Sequence, residues 1–549
     1  MEIKTNGMRK IKRGLVLVSV PILLWSATKV NDYFEWTKNL EIFTTVYKEI
    51  NLKYVDRPNP GELMKIGVDA MLSSLDPYTN FYTESQVEEA LILRKGEFGT
   101  AGFELNMLQN KLLISKIIPG TEAEKYQLQL GDELLEVNGR TPSPKSVSAA
   151  YEALEGAAGS KVSLKLKRQD DTLAIDLLRV KPSFNNVPYY GMVNSSVGYI
   201  KLDQFMENSA EEVKKALLDL KAKHNPKSLI LDLRNNGGGL LVDAVRIVNL
   251  FVPQNKVLVV TKGRTEEHYR EYRTMEPPVD LNIGLVVLIN KNSASASEIV
   301  AGSIQDLDRG VVLGQNSFGK GLVQNQLTIP YRHQLKVTIA KYYIPSGRCI
   351  QKIEYGQKNK MGKDSTAAVF YTQNKRKVME GNGIKPDIAL DRDEDNAFLK
   401  EIKNSGALFE FAIQEASKYS KADFGSAAFK LKNNTLPDFE NFLKGRNFVF
   451  ELPAEKMLSS LEENLKREGM AEKEIKQAME EFANKITAYK NKAIEQNKEE
   501  ITTLLAIEIA RTIMGEQDRY PVLFQYDKEI LKAVEVLENK QLYQNTLKP

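Results

Sequence analysis

The sequence predicts a mixed α/β protein of several domains, and three changes of pattern along its 549 residues predict it. Between about 183 and 395, the apolar runs Ser228–Leu233, Leu285–Ile289 and Val311–Gly314 alternate with helical spacing, as in a parallel sheet buried on both faces. From about 96 to 182 the runs are shorter and punctuated by turn signals, so a small β-rich domain is expected there. Beyond 396 the chain becomes rich in Lys, Glu and Ala and reads as long helices. The expected division is 1–33, a leader or anchor; 34–95, a helical lead-in; 96–182, the β-rich insert; 183–395, the α/β core; and 396–549, a helical C-terminal domain.

Lys4, Arg9, Lys10, Lys12 and Arg13 precede the apolar run Gly14–Ala27, which has the length of a secretory h-region and falls short of a comfortable membrane span. Export to the periplasm or the periplasmic face of the inner membrane is the expectation. Trp25-Ser26-Ala27-Thr28 is a poor cleavage site, so a removed signal and a retained anchor both stay open. Glu35–Lys95 reads as two or three helices, with a turn at Leu75-Asp76-Pro77-Tyr78-Thr79. Strands are expected at Phe103–Leu105, Lys111–Ile118, Glu133–Val137 and Lys161–Lys167, with a helix at Val147–Glu155. Further on, Val197–Leu202 is a strand and Glu211–Lys223 a helix. The strand Ser228–Leu233 runs into Asp232-Leu233-Arg234-Asn235-Asn236-Gly237-Gly238-Gly239 and the helix Leu240–Phe251. Lys352–Met379 is polar and reads as an exposed insertion. In the helical region, Ile475, Met479, Phe482, Ile486 and Tyr489 form one apolar stripe. That region is expected to serve dimerisation, substrate gating or adaptor docking.

The chemistry concentrates between Leu285 and Gln324. After the buried strand Leu285–Ile289, the small residues Ser293-Ala294-Ser295-Ala296-Ser297 let the backbone turn sharply into the expected helix Glu298–Leu307, where a hydroxyl would stand beside free N–H groups. The next strand, Val311–Gly314, leads to Phe318-Gly319-Lys320-Gly321, with Gln324 behind it. A serine needs a base, and a lysine kept out of water by apolar neighbours can lose its proton and act as one.

Other chemistries are poorly served. Lys and Arg (76) nearly balance Asp and Glu (72), which leaves no electrostatic footprint for nucleic acid. One cysteine, Cys349, rules out an intramolecular disulfide framework and a Cys-rich zinc site, and it reads as a small strand side chain. His224, His268 and His333 have no metal-ligand spacing, so no metal is expected. Gly314-x-x-x-x-Gly319-Lys320-Gly321 imitates a Walker A loop but has Gly321 where the magnesium-binding hydroxyl belongs, and strand rather than helix follows.

Ser293–Ile299 and Phe318–Gln324 together resemble the active-site motifs of the C-terminal processing (tail-specific) peptidases, and the resemblance extends over roughly Phe34 to Asp391. It implies a ClpP/crotonase-like α/β protease core and a cofactor-free serine endopeptidase that cuts exported proteins near their C-termini. Carried over by position, Ser295 is the nucleophile, Lys320 the general base and Gln324 the residue that orients the lysine. The backbone N–H groups of Gly239 and Ala296 form the oxyanion hole, and Asp306, with Asp308 close by, is a supporting acid. The β-rich insert resembles a PDZ domain whose carboxylate loop is Gly99, Thr100, Ala101, Gly102 and Phe103, which implies protein substrates with apolar C-terminal tails. Thr100-Ala101 between the glycines departs from the usual Gly-x-Gly core. The competing reading is a non-catalytic PDZ scaffold that binds protein tails in the cell envelope.

Overall fold

Residues 33–88, 98–142, 146–181, 185–353, 355, 368–390, 395–424, 429–468, 473–517 and 519–549 are described by a computed structural model. The leader expected over Gly14–Ala27 lies outside the described residues. No helix among the described residues is long and apolar enough to cross a membrane. The chain divides into two units, 1–83 with 326–337 and 84–325 with 338–549.

In the first unit, helix α1 covers residues 33–53 and α2 spans Pro60–Ser73. Asn59 caps α2, its side-chain oxygen accepting from the N–H groups of Gly61 and Glu62 ahead of the turn where Pro60 lacks a donor. The Asp76 turn forms as expected: one carboxylate oxygen accepts from Tyr78 N–H at 2.8 Å and Thr79 N–H at 2.9 Å. It feeds β1 (Asn80–Tyr82), which pairs antiparallel with residues 334–336.

The second unit opens with the β-rich insert. Strands β2 (Phe103–Leu108), β3 (Lys111–Ile117), β4 (Glu133–Val137), β5 (Lys161–Arg168) and β6 (Asp171–Leu178) form one antiparallel sheet in that order, so β2 is an edge. Helix α3 (Val147–Leu154) lies between β4 and β5 in the chain and packs Ala150 and Leu154 on the sheet. Its cap is Ser146, whose hydroxyl accepts from Ala149 N–H.

The core sheet holds six strands. It begins with β7 (Tyr189–Met192), β8 (Val197–Lys201), helix α4 (Ser209–His224), β9 (Ser228–Asp232) and helix α5 (Leu241–Asn249). Outside this sheet, β10 (Val257–Gly263) pairs with β11 (Arg270–Arg273). The chain then re-enters it with β12 (Gly284–Ile289), helix α6 (Ala296–Asp306) and β13 (Val311–Gly314). Beyond come β14 (Leu322–Thr328), β15 (Gln334–Tyr343) and the short β16 (Ile388–Ala389). The sheet order is β16-β13-β12-β9-β8-β7, parallel except for β7. Alternate side chains explain why these strands are apolar throughout. Leu229, Leu231, Leu285, Val287, Ile289 and Val312 pack under α4, α5 and α6, while Ile230, Val286, Leu288, Val311 and Leu313 face the other way.

The last helices of the C-terminal region cover that second face. The C-terminal region comprises α7 (Ala397–Asn404), α8 (Ala407–Ala416), α9 (Thr435–Gly445), α10 (Pro453–Arg467), α11 (Lys473–Asn491) and α12 (Lys498–Met514). It closes with α13 (Tyr520–Tyr526), α14 (Lys528–Glu538) and α15 (Lys540–Thr546). Tyr520, Phe524, Ile530, Ala533 and Val536 seal the outer face of β8, β9, β12 and β13. Helices α8 and α12 carry the insert: Arg511 donates to Ser115 C=O at 2.8 Å, and a Cβ at Gly131 would lie 2.7 Å from Ile413. Along the apolar stripe of α11, Ile486 is buried whereas Phe482 and Tyr489 are exposed.

A buried charge cluster joins the C-terminal helices to the end of β9. Asp232 accepts from Tyr199 hydroxyl at 2.7 Å and from Arg234 Nη2 at 2.6 Å, with Lys201 Nζ at 3.7 Å. Burial opposes its charge, but Arg234 and Lys201 outweigh that and hold the carboxyl below its usual range. The other side of the Arg234 guanidinium meets Asp527, the cap of α14, at 2.8 Å, and also Glu529. Arg234→Leu takes the guanidinium away from Asp232, Asp527 and Glu529 at once. The expected loss is about 3–5 kcal/mol of stability, read as a lowered denaturation midpoint with unchanged m-value.

Candidate active site

Three neighbouring parallel strands, β9, β12 and β13, end on the same edge of the sheet, and each carboxyl end hands over to a functional loop. β9 leads to the glycine loop, β12 to Ser295, and β13 to Lys320.

Ser295 caps α6 with φ 54° and ψ −111°, a conformation that L side chains rarely adopt and that the surrounding contacts must impose. Those contacts come from its serine neighbours. Ser293 hydroxyl donates to Leu233 C=O at 2.8 Å, Ser297 hydroxyl donates to Asn236 C=O at 2.9 Å, and Ala294 N–H donates to the same carbonyl at 3.0 Å. The outer two serines are thus structural, and the half-buried middle one stands at the bend.

In the glycine loop, Gly238 and Gly239 fit against that bend and its surroundings with no room for side chains. A Cβ on Gly238, whose φ is +96°, would lie 2.6 Å from Ala294 C=O and 2.8 Å from Ser295 Cβ. One on Gly239 would lie 2.2 Å from Phe205 C=O. Gly238 N–H is occupied by Asn236 Oδ1 at 2.9 Å. Among the described residues, the N–H groups of Gly239 and Ala296 donate to no protein acceptor. These are the two groups that the sequence nominates for an oxyanion.

Glu298, which the sequence does not single out for a role in the site, is its hub. It is fully buried in the first turn of α6 and collects four donors. Its Oε2 accepts from Ser295 N–H at 2.7 Å and from Lys320 N–H at 2.9 Å. Its Oε1 accepts from Gly319 N–H at 2.7 Å and from Ser317 hydroxyl at 2.5 Å. Because Ser295 and Lys320 share one carboxylate oxygen, their backbones are held within two hydrogen-bond lengths of each other. Burial pushes this carboxyl up to about 7, against the pull of its donors. From the other side, buried Tyr342 on β15 donates its hydroxyl to Lys320 C=O at 2.5 Å, and the same oxygen lies 3.2 Å from Ser295 C=O. The available signal was Ser295-x-x-Glu298, the capping-box spacing, which says that a glutamate reaches back to the cap but not that a second loop shares it.

Two further nominated residues have partners of their own. Gln324 donates to Thr338 hydroxyl at 3.2 Å, an engagement with β15. Asp306 is not brought to the serine. It is the last residue of α6 while Ser295 caps the first turn, which at 1.5 Å per residue puts the two about 16 Å apart along the axis. There it pairs with buried Arg348 at 2.8 Å and accepts from Ser346 N–H. Asp308, the other candidate acid, pairs with Arg376 at 2.7 Å.

In the insert, Thr100 N–H is taken by Val180 C=O at 2.8 Å, so it is not available to a carboxylate. Gly99 is a close-packing glycine, since a Cβ there would lie 2.7 Å from Arg179 Cβ. Among the described residues, Ala101 and Gly102 keep N–H groups with no protein acceptor, and Phe103 begins β2.

A strained serine at a strand–helix bend, beside two uncommitted amides and joined to a lysine loop, is the arrangement of a serine-type hydrolase. Comparison with known proteins gives the family. Residues 196–359 match the model of peptidase family S41, residues 113–168 that of the PDZ domain, and residues 398–537 that described as "Probable PDZ-protease, C-terminal helical domain". A "Carboxy-terminal-processing protease" of Bartonella bacilliformis is 31% identical over 345 residues, covering 62% of this chain and 79% of that one. A "Probable CtpA-like serine protease" of Staphylococcus aureus is 27% identical over 416 residues, covering 75% and 77%. Among solved structures, the photosystem II D1 C-terminal processing protease is similar at 25% identity with a TM-score of 0.34, over 64% of this chain and 92% of that one. The chain belongs to the carboxy-terminal-processing protease family and is a serine peptidase.

Proposed function

We propose that the chain is a Ser-Lys endopeptidase that cuts exported proteins near their C-termini after its PDZ domain takes their tails. The carrying observation is the shared oxygen of Glu298, which holds the backbones of Ser295 and Lys320 together. In this reading Lys320, unprotonated, takes the proton of Ser295 Oγ as that oxygen bonds to the scissile carbonyl carbon. The Gly239 and Ala296 N–H groups receive the charge that develops on the carbonyl oxygen. Collapse breaks the C–N bond, and the Lys320 ammonium returns its proton to the leaving amine. Water then enters by the same route, with Lys320 again as base, and releases the acyl group from Ser295. Glu298 and Tyr342 act as positioning residues for the two loops, and Gln324 steadies β15 through Thr338.

The amides of Ala101 and Gly102 support carboxylate recognition by the PDZ domain. Export rests on the basic and apolar character of the first 27 residues. Retention at the inner membrane, an adaptor and a homodimer are further parts of the reading. Incubation with an unfolded protein ending in apolar residues, beside the same protein with an amidated terminus, tests it. The expected result is cleavage near the C-terminus that amidation slows; equal cleavage of both would remove tail recognition.

A further inference from the structure

We infer that Tyr151 latches the tail groove of the PDZ domain by occupying the hydrogen-bonding positions that an incoming peptide strand would use. The inference rests on the tail-binding role proposed above. Strand β2 has β3 on one side only, and a tail adding to the sheet must pair with its free side, next to α3. Leu105 presents its backbone on that side. Opposite it on β3, Ile114 spends its N–H on Asp132 C=O and its C=O on Gly131 N–H, both toward β4, so the Leu105–Ile114 pair exchanges no hydrogen bonds.

The Leu105 groups are nevertheless not idle. Leu105 N–H donates to the Tyr151 hydroxyl at 2.8 Å, and that hydroxyl is 3.4 Å from Leu105 C=O. Tyr151 projects from the middle of α3, three residues before the buried Leu154. One phenol thereby satisfies an edge N–H and approaches its carbonyl, as the backbone of an added strand would. The groove itself is open: a cleft of about 470 Å³ runs from Thr100 and Phe103 past Tyr151 and Leu154 toward Tyr520. Its carboxylate end is uncommitted at Ala101 and Gly102, whereas its strand-pairing register at Leu105 is taken.

A tail can therefore seat its terminal carboxylate first but can zip onto β2 only by displacing the phenol. Segments without a terminal carboxylate start with no such hold. Tyr151 is thus a specificity-determining residue that biases the groove toward true C-termini.

The test uses the full chain carrying Ser295→Ala, so that bound peptide is not cut, with and without Tyr151→Phe. The probe is a fluorescent decapeptide of alternating valine and alanine with a free C-terminus, beside its amide. Losing the hydroxyl removes a competitor worth one hydrogen bond, so Tyr151→Phe should bind the free-carboxylate peptide roughly three- to tenfold more tightly. Hydrogen exchange at the Leu105 amide should quicken in the variant and slow again when peptide is added, with Leu134 and Leu166 unchanged. Carboxylate-dependent binding with equal or weaker affinity in Tyr151→Phe overturns the latch alone. Equal binding of acid and amide by both proteins overturns tail recognition, and the latch with it.

Discussion

Ser295→Ala is expected to lower cleavage of an unfolded substrate by at least about 10⁴-fold while leaving the fold and tail binding intact. The side chain is half-buried, and the strained backbone at this position is imposed by Ser293, Ser297 and Asn236 rather than by the Ser295 hydroxyl. Removing that hydroxyl therefore costs little stability. Lys320→Arg should match the loss. A guanidinium keeps its positive charge but cannot surrender a proton at any working pH. The loop itself is held through Lys320 N–H and C=O, by Glu298 and Tyr342, so its geometry survives the change of side chain. Because the two groups act as a unit, the double variant should be scarcely worse than either single one. Steady-state kinetics on one fluorogenic substrate, with circular dichroism as the control for folding, checks all three variants.

Glu298→Gln is the second large effect. Four donors converge on two oxygens, and an amide nitrogen among them faces donors instead of accepting from them. The loops bearing Ser295 and Lys320 then shift, and a displacement on the order of 1 Å at reacting groups costs about 10²-fold in kcat with little change in KM. The wild type carries a related pH dependence. Above about 7 the carboxylate can accept from all four groups; below it, an O–H enters the cluster, so kcat should fall as pH drops through about 7. Stability runs the other way. The unfolded carboxyl ionises near 4.5 and the buried one near 7, so the folded state binds the extra proton in between. That stabilisation is complete below about 4.5 and is lost as pH rises to about 7. Glutamine has no such titration. Hence the melting temperature of wild type minus that of Glu298→Gln should be larger at pH 5 than at pH 8, by an amount reflecting on the order of 3 kcal/mol.

Most of the scaffold was legible because buried parallel strands leave an unambiguous mark. Leu285–Ile289 and Val311–Gly314 are apolar at every position, and structure assigns strands within a residue of both. The strand ends fix where the loops fall, so the serine and lysine loops could be set side by side from sequence. Strands β6, in which Leu173, Ile175 and Leu177 alternate, and β10, with its apolar run, are not among the strands expected from the sequence. Glu298 was hidden for a different reason: three of its four donors lie 19 to 22 residues away, and no local period records them. The role of α13 and α14 was hidden in the same way. An amphipathic helix announces that it covers something, but Phe524 and Val536 do not say that the covered face belongs to β9 and β12. Asp306 lies in the helix after the serine, as the resemblance implies, but only the structure shows that α6 carries it a full helix length from its cap, to Arg348.

The most direct measurement is labelling by a fluorophosphonate, which reacts with an activated serine hydroxyl, read by intact mass and peptide mapping. A base at Lys320 serving a nucleophile at Ser295 predicts a single adduct on Ser295 in the wild type and none in Lys320→Arg. Equal labelling of wild type and Lys320→Arg, or an adduct that persists in Ser295→Ala, would contradict the assignment.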